Sequence, residues 1–139
     1  MDDLYREHIL DHYKNPRNHG TLDDPKVSVE GQNPLCGDHL HLDVRVEDGR
    51  VAAIRFSGKG CAISQAATSM LTEMVEGKPV DEVAALGRED IEEEVGIPLS
   101  PMRLKCALLG LGTLKVALNR AAGTPLPEEW AGMDEVEWS

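Results

Sequence analysis

Between positions 39 and 56 the chain alternates apolar and polar residues with a period of two. Leu40, Leu42, Val44 and Val46 interleave with His39, His41, Asp43 and Arg45, which predicts a strand with one buried and one wet face. Asp48-Gly49 supplies residues suited to positive φ, and Ala52, Ile54 and Phe56 continue the buried face on the return strand. The pair reads as an antiparallel hairpin. Val27 and Val29 alternate as a shorter strand would.

Elsewhere the period lengthens to that of a helix. Leu4 to Tyr13 reads as a helix with Leu4, Ile9, Leu10 and Tyr13 on one face, stopped by Asn15-Pro16-Arg17-Asn18-His19-Gly20. Ile63, Ala66, Ala67, Met70, Leu71 and Met74 recur at helical spacing until Gly77 and Pro79. Shorter helices are predicted at 80–86 and 89–95. Ser100-Pro101 then opens a long one, with an N-cap and a proline at its first position. It runs to about Ala122 and is apolar around much of its circumference, hence buried. Residues 1–123 form one domain by this reading. Residues 124–139 are an acidic C-terminal tail that Trp130 and Trp138 dock locally.

Length and composition narrow the class. The chain has 139 residues, enough for one domain with a real core. Aromatic residues make up only 4 %, so aliphatic side chains must build that core. The formal net charge of −11 argues against nucleic acid or an anionic membrane as partner, since both need a basic surface. No apolar run approaches the roughly 20 residues that span a bilayer. Met1-Asp2-Asp3 is acidic where a secretory signal is basic, so the expected compartment is the cytoplasm.

In that reducing compartment three cysteines, Cys36, Cys61 and Cys106, mean metal or sulfur chemistry more readily than disulfides. Cys36 lies in the loop Asn33-Pro34-Leu35-Cys36-Gly37-Asp38, with a carboxylate two residues on. Cys61 follows Gly58-Lys59-Gly60 where a helix starts, a place where backbone N–H groups and the helix dipole favour a thiolate. Cys106 follows Lys105 on the long helix. The hairpin brings the Cys36–Asp38 loop and Cys61 to one end, opposite the Asp48-Gly49 turn, and the long helix need only pack there for Cys106 to join them. Three thiolates and one oxygen satisfy a four-coordinate site, with Lys59 or Lys105 offsetting its charge. Taken alone, Cys106 and less so Cys61 also read as small buried hydrophobes, whereas Cys36, flanked by Pro34 and Gly37 in a polar loop, is a poor core candidate. His39 could lend a nitrogen ligand, but His39 and His41 read first as solvated side chains. His8, His12 and His19 read as members of a surface helix and its exit turn.

Four blocks carry a resemblance: Leu4-Tyr5 through Asp11-His12-Tyr13-Lys14-Asn15-Pro16-Arg17-Asn18, Asn33-Pro34-Leu35-Cys36-Gly37-Asp38, Gly60-Cys61-Ala62-Ile63-Ser64, and Lys105-Cys106. Over about residues 1–122 the chain resembles the IscU/SufU family of iron–sulfur cluster assembly scaffold proteins, also called NifU-like N-terminal domains. The resemblance implies an α+β fold, a small antiparallel three-stranded sheet covered by helices. It implies that Cys36, Asp38, Cys61 and Cys106 hold a transient [2Fe–2S] cluster, or Zn²⁺ in the resting or purified form, with Cys106 and then Cys61 as candidate persulfide acceptors. The implied partners are a cysteine desulfurase and apo iron–sulfur acceptor proteins or carriers. The chain would be a scaffold or carrier rather than an enzyme, with a homodimer or higher oligomer left open. Two departures point different ways. Lys105 stands where the IscU branch usually has a histidine, and looks more like the SufU branch, whose alternative activity is zinc-dependent sulfur transfer. Yet the spacing from Cys61 to Cys106 has no room for the insertion usual in SufU proteins. Leu99-Ser100-Pro101-Met102-Arg103 matches the segment read by an Hsp70-type chaperone only in part.

Overall fold

A computed structural model describes residues 2–33, 37–96 and 99–122. Its elements run α1 (Asp2–Lys14), β1 (Val27–Asn33), β2 (Asp38–Glu47), β3 (Arg50–Lys59), α2 (Ala62–Val75), α3 (Val80–Ala84), α4 (Arg88–Val95) and α5 (Pro101–Ala122). The tail beyond residue 122, with Trp130 and Trp138, lies outside the described residues, as does Cys36.

The sheet is antiparallel throughout, in the order β1-β2-β3. Its hairpin turns where the period predicts. Asp48 (φ 54°) and Gly49 (φ 72°) both adopt positive φ, the turn whose twist matches that of the flanking strands. The expected buried face holds for Ile54 and Phe56 but not for Ala52. A register shift falls between Arg45 and Val46, so Val51 rather than Ala52 opposes Val46. Val51 is fully buried and Ala52 only half-buried. A bulge inserts one residue, and the alternation changes phase there.

The inner face of the sheet, with Val29, Leu40, Leu42, Val44, Val51, Ile54 and Phe56, is covered by α2 and α5. The α5 helix is buried from Cys106 to Leu118, in keeping with its all-round apolar sequence. Two glycines let backbones approach here. A Cβ on Gly110 would stand 2.7 Å from Thr68 Oγ1 of α2, and one on Gly31 of β1 would collide with Thr113 Oγ1 of α5. Gly110→Ala is therefore expected to destabilise the fold by about 1–3 kcal/mol, the cost of overpacking, as read by urea denaturation. A Gly110→Ala/Thr68→Ala double variant, which removes the hydroxyl in the way, should recover part of that loss.

Two further sequence expectations are overturned, both where polar groups are buried. Leu10 and Tyr13, on the expected apolar face of α1, are 39 % and 45 % exposed, whereas His12, expected at the surface, is 3 % exposed. Among the described side chains of α1, Ile9 and His12 are the buried ones. His12 Nδ1 lies 2.8 Å from Ser69 Oγ of α2, and Asn18 donates to Thr72 Oγ1 from the turn that follows. Ser69 and Thr72 are themselves fully buried, so α2 offers α1 a polar stripe that apolar periodicity could not reveal.

Asp43, expected on the wet face, is likewise 3 % exposed. It accepts hydrogen bonds from the Leu22 N–H and the Ser28 hydroxyl, and His41 Nε2 stands 2.7 Å away. Burial works against both charges, but Glu30 and Asp43 prevail over it at His41 and raise its pKa, and Ser28, Leu22 and His41 prevail at Asp43 and lower its own. The signs set a window. The Asp43 contribution is present above its unfolded pKa, near 4, and lost as pH falls through its folded value. That of His41 is present below about 6.5 and lost as pH rises through its own. Asp43→Asn should thus cost most stability between about pH 4 and 6.5, measured by urea denaturation across pH. A cost that does not vary with pH would remove this assignment.

Candidate metal centre

The site forms where β2 begins, β3 ends and α2 starts. Strand pairing sets His39 opposite Lys59, so Asp38 on β2 comes level with Gly60 and Cys61. Gly58 makes the crossing tight. With φ 143° it adopts backbone that side chains avoid, and a Cβ there would strike the His39 carbonyl oxygen of β2.

Cys61 is the N-cap of α2, with extended backbone (φ −70°, ψ 168°), and its Sγ accepts the Ser64 N–H at 3.5 Å. Asp38, 2 % exposed, accepts the Cys61 N–H through Oδ1 at 3.0 Å. Helix α2 therefore begins with a sulfur and a carboxylate both turned to its first amides, whose positive end of the dipole favours anions. Gly60 leaves room for this. A Cβ there would lie 2.7 Å from Asp38 Oδ1 and 2.6 Å from Ser64 Oγ.

Cys106 arrives from α5. Ser100 caps that helix by accepting the Arg103 N–H, and Cys106 sits one turn before Gly110, the residue that closes on α2. It is 2 % exposed, whereas Cys61 is half-buried. The two sulfurs and one Asp38 oxygen all lie within 4.8 Å of one another. Thiolates bound to one tetrahedral ion at about 2.3 Å stand about 3.8 Å apart. The donor set therefore suits a thiophilic ion or an iron–sulfur cluster, with soft sulfur predominating and one hard oxygen. Cys36, the fourth ligand the sequence suggests, lies outside the described residues.

The remaining sequence candidates stand apart from this trio. His39 and His41 point to the outer face of the sheet, where Glu30 lies 3.5 Å from His39 Nε2 and 3.1 Å from His41 Nδ1. Lys59 and Lys105 are solvent-exposed at the ends of β3 and the first turns of α5. Sequence reasoning missed Ser64 and Gly60 as shapers of the site. The Gly60-Cys61-Ala62-Ile63-Ser64 run held the signal: a capping residue followed three positions later by a small polar one.

Comparison with known proteins agrees with the architecture. Residues 4–124 match the profile described as "NifU-like N terminal domain". The zinc-dependent sulfurtransferase SufU of Bacillus subtilis is 36 % identical, over 88 % of this chain and 95 % of its own. The iron–sulfur cluster assembly scaffold protein IscU of Aquifex aeolicus is 43 % identical, over 83 % of this chain and 74 % of its own. The crystal structure of a hypothetical protein superposes with a TM-score of 0.75 at 34 % identity, covering 86 % of this chain and all of that one.

Proposed function

Because the chain belongs to the NifU-like N-terminal domain family, we propose that it is a scaffold for iron–sulfur cluster assembly, in which Cys36, Asp38, Cys61 and Cys106 hold the cargo. The observation that carries this reading is the convergence of Asp38, Cys61 and Cys106 within 4.8 Å at the head of α2. No helix among the described residues is long and apolar enough to cross a membrane.

Sulfur arrives as the persulfide of a cysteine desulfurase. A thiolate of this chain, Cys106 first and Cys61 second, attacks the outer sulfur. The donor's S–S bond breaks, its thiolate leaves, and a Cys–S–SH forms here. Two electrons from an external reductant bring that sulfur to the sulfide level. Iron is held by the remaining thiolates and Asp38, and the completed cluster passes to apo-proteins. The single oxygen ligand matters because iron–sulfur irons prefer thiolate, so the carboxylate is the weakest link and the natural place to open.

A second reading, zinc-dependent sulfur transfer, draws support from the Bacillus subtilis relative and from Lys105. In it a resident zinc ion orients the thiolates, and the cysteines relay sulfur without building a cluster. Anaerobic incubation with ferrous iron, cysteine and a desulfurase separates the two. The scaffold reading expects sulfur-to-iron charge-transfer absorption with two irons and two sulfides per bound cluster. Persulfide relay with zinc retained and no such absorption would overturn it in favour of the second.

A further inference from the structure

His8 and His12 lie four residues apart on α1, so their rings share a face of the helix. The ring centres are 4.7 Å apart and the planes meet at 76°. Two imidazoles bound to one tetrahedral ion at about 2.0–2.1 Å place their centres about 5 Å apart. Across the helix interface, His12 Nε2 faces Glu73 Oε1 of α2 at 3.6 Å. That is long for a hydrogen bond and close to the roughly 3.4 Å between two ligands of one tetrahedral ion.

The other ring nitrogen is already engaged. His12 Nδ1 meets Ser69 Oγ at 2.8 Å, and the same oxygen accepts the Arg17 N–H at 2.8 Å. A metal-binding histidine characteristically has its second nitrogen held in this way, which fixes the ring and aims the first. Glu73 faces the pair, and the Arg17 guanidinium, whose charge opposes a cation at His12, is turned away to Asp11 at 2.6 Å. The Glu73 side chain is half exposed and His8 half-buried, so solvent reaches the position a water ligand would fill.

We propose that His8, His12 and Glu73 form a second divalent-metal site, for an ion of the zinc, nickel and copper class, that clips α1 to α2. Two imidazoles and a carboxylate are the ligands these ions select. In their present rotamers the three do not converge as the Asp38 group does, the one trio among the described residues with ligand atoms within 4.8 Å. The site therefore requires the His8 and Glu73 side chains to turn toward His12 Nε2 on binding. The consequence is structural. Leu10 and Tyr13 of α1 face solvent, and the ion would tie α1 to the helix that Cys61 caps.

Cobalt(II) titration of the full chain under anaerobic conditions tests this, because thiolate ligands give intense sulfur-to-cobalt charge transfer and nitrogen–oxygen sites give only weak d–d bands. The expected result is a thiolate-type equivalent followed by one that adds d–d absorption alone and slows amide exchange in α1. His8→Asn and Glu73→Gln, both at accessible positions, should each weaken the second equivalent at least about tenfold and leave the first unchanged. The proposal is overturned if no second equivalent binds, if it adds sulfur charge transfer, or if either variant binds it as tightly as the unsubstituted chain.

Discussion

Cys106→Ser is expected to reduce sulfur acceptance from a cysteine desulfurase by at least about a hundredfold, the scale of losing a nucleophile, while the fold survives. The thiol-to-hydroxyl change replaces a polarisable thiolate with a group that does not ionise near neutral pH. The new hydroxyl is buried, because position 106 is 2 % exposed, but a helix offers it a partner. Thr113 of the same helix donates to the Leu109 carbonyl at 2.8 Å, and Thr68 of α2 does the same to Ser64. A serine at 106 can follow this pattern with the carbonyl four residues earlier. Cys61→Ser makes an informative partner. Serine is a favoured N-cap, so this variant should hold or raise thermal stability while impairing metal retention. Mass spectrometry of persulfide adducts beside circular-dichroism melting reads both effects. Undiminished loading of Cys106→Ser would move the acceptor role to Cys61.

That the two cysteines can be separated in this way reflects what the sequence makes legible. The hairpin is written in local terms, an alternation of Leu and Val with polar residues and an Asp-Gly turn, so it could be read and with it the nearness of Asp38 and Cys61. The helix of Cys106 was equally plain, since Pro101 and the apolar run after it leave few alternatives. What escaped depended on partners distant in the chain. Nothing near His12 announces that Ser69, fifty-seven residues on, will hold its ring, and so apolar spacing alone puts Leu10 and Tyr13 on the face of α1 that should be buried. Asp43 looked solvated because the segment that covers it, with Leu22, is joined to it only by tertiary hydrogen bonds. The bulge at Ala52 is a property of two paired strands, and no single strand encodes it. Apolar periodicity reports which faces are greasy; it is silent about buried polar pairs, and these shape both α1 and the head of α2.

Asp38→Ala should produce two opposite effects, and their opposition identifies the role of the carboxylate. Bound cluster should persist longer, by about tenfold on the scale at which altered metal surroundings change affinity, because the one hard ligand through which the site opens is gone. The protein without cargo should lose about 1–3 kcal/mol, because the Cys61 N–H at the start of α2 forfeits a charged acceptor in a buried setting. A purely structural aspartate would give the second effect without the first. Gly60→Ala approaches the same carboxylate without deleting it. Its Cβ would stand 2.7 Å from Asp38 Oδ1 and 2.6 Å from Ser64 Oγ, closer than side chains tolerate, so Asp38 must leave its place on the Cys61 amide. Gly60→Ala should therefore reproduce the lengthened lifetime in part, and the Asp38→Ala/Gly60→Ala double variant should live no longer than Asp38→Ala alone, since two changes acting through one group do not add. Decay of the visible charge-transfer band after anaerobic reconstitution measures each lifetime. Faster decay in Asp38→Ala would mean that the carboxylate anchors the cargo instead of releasing it.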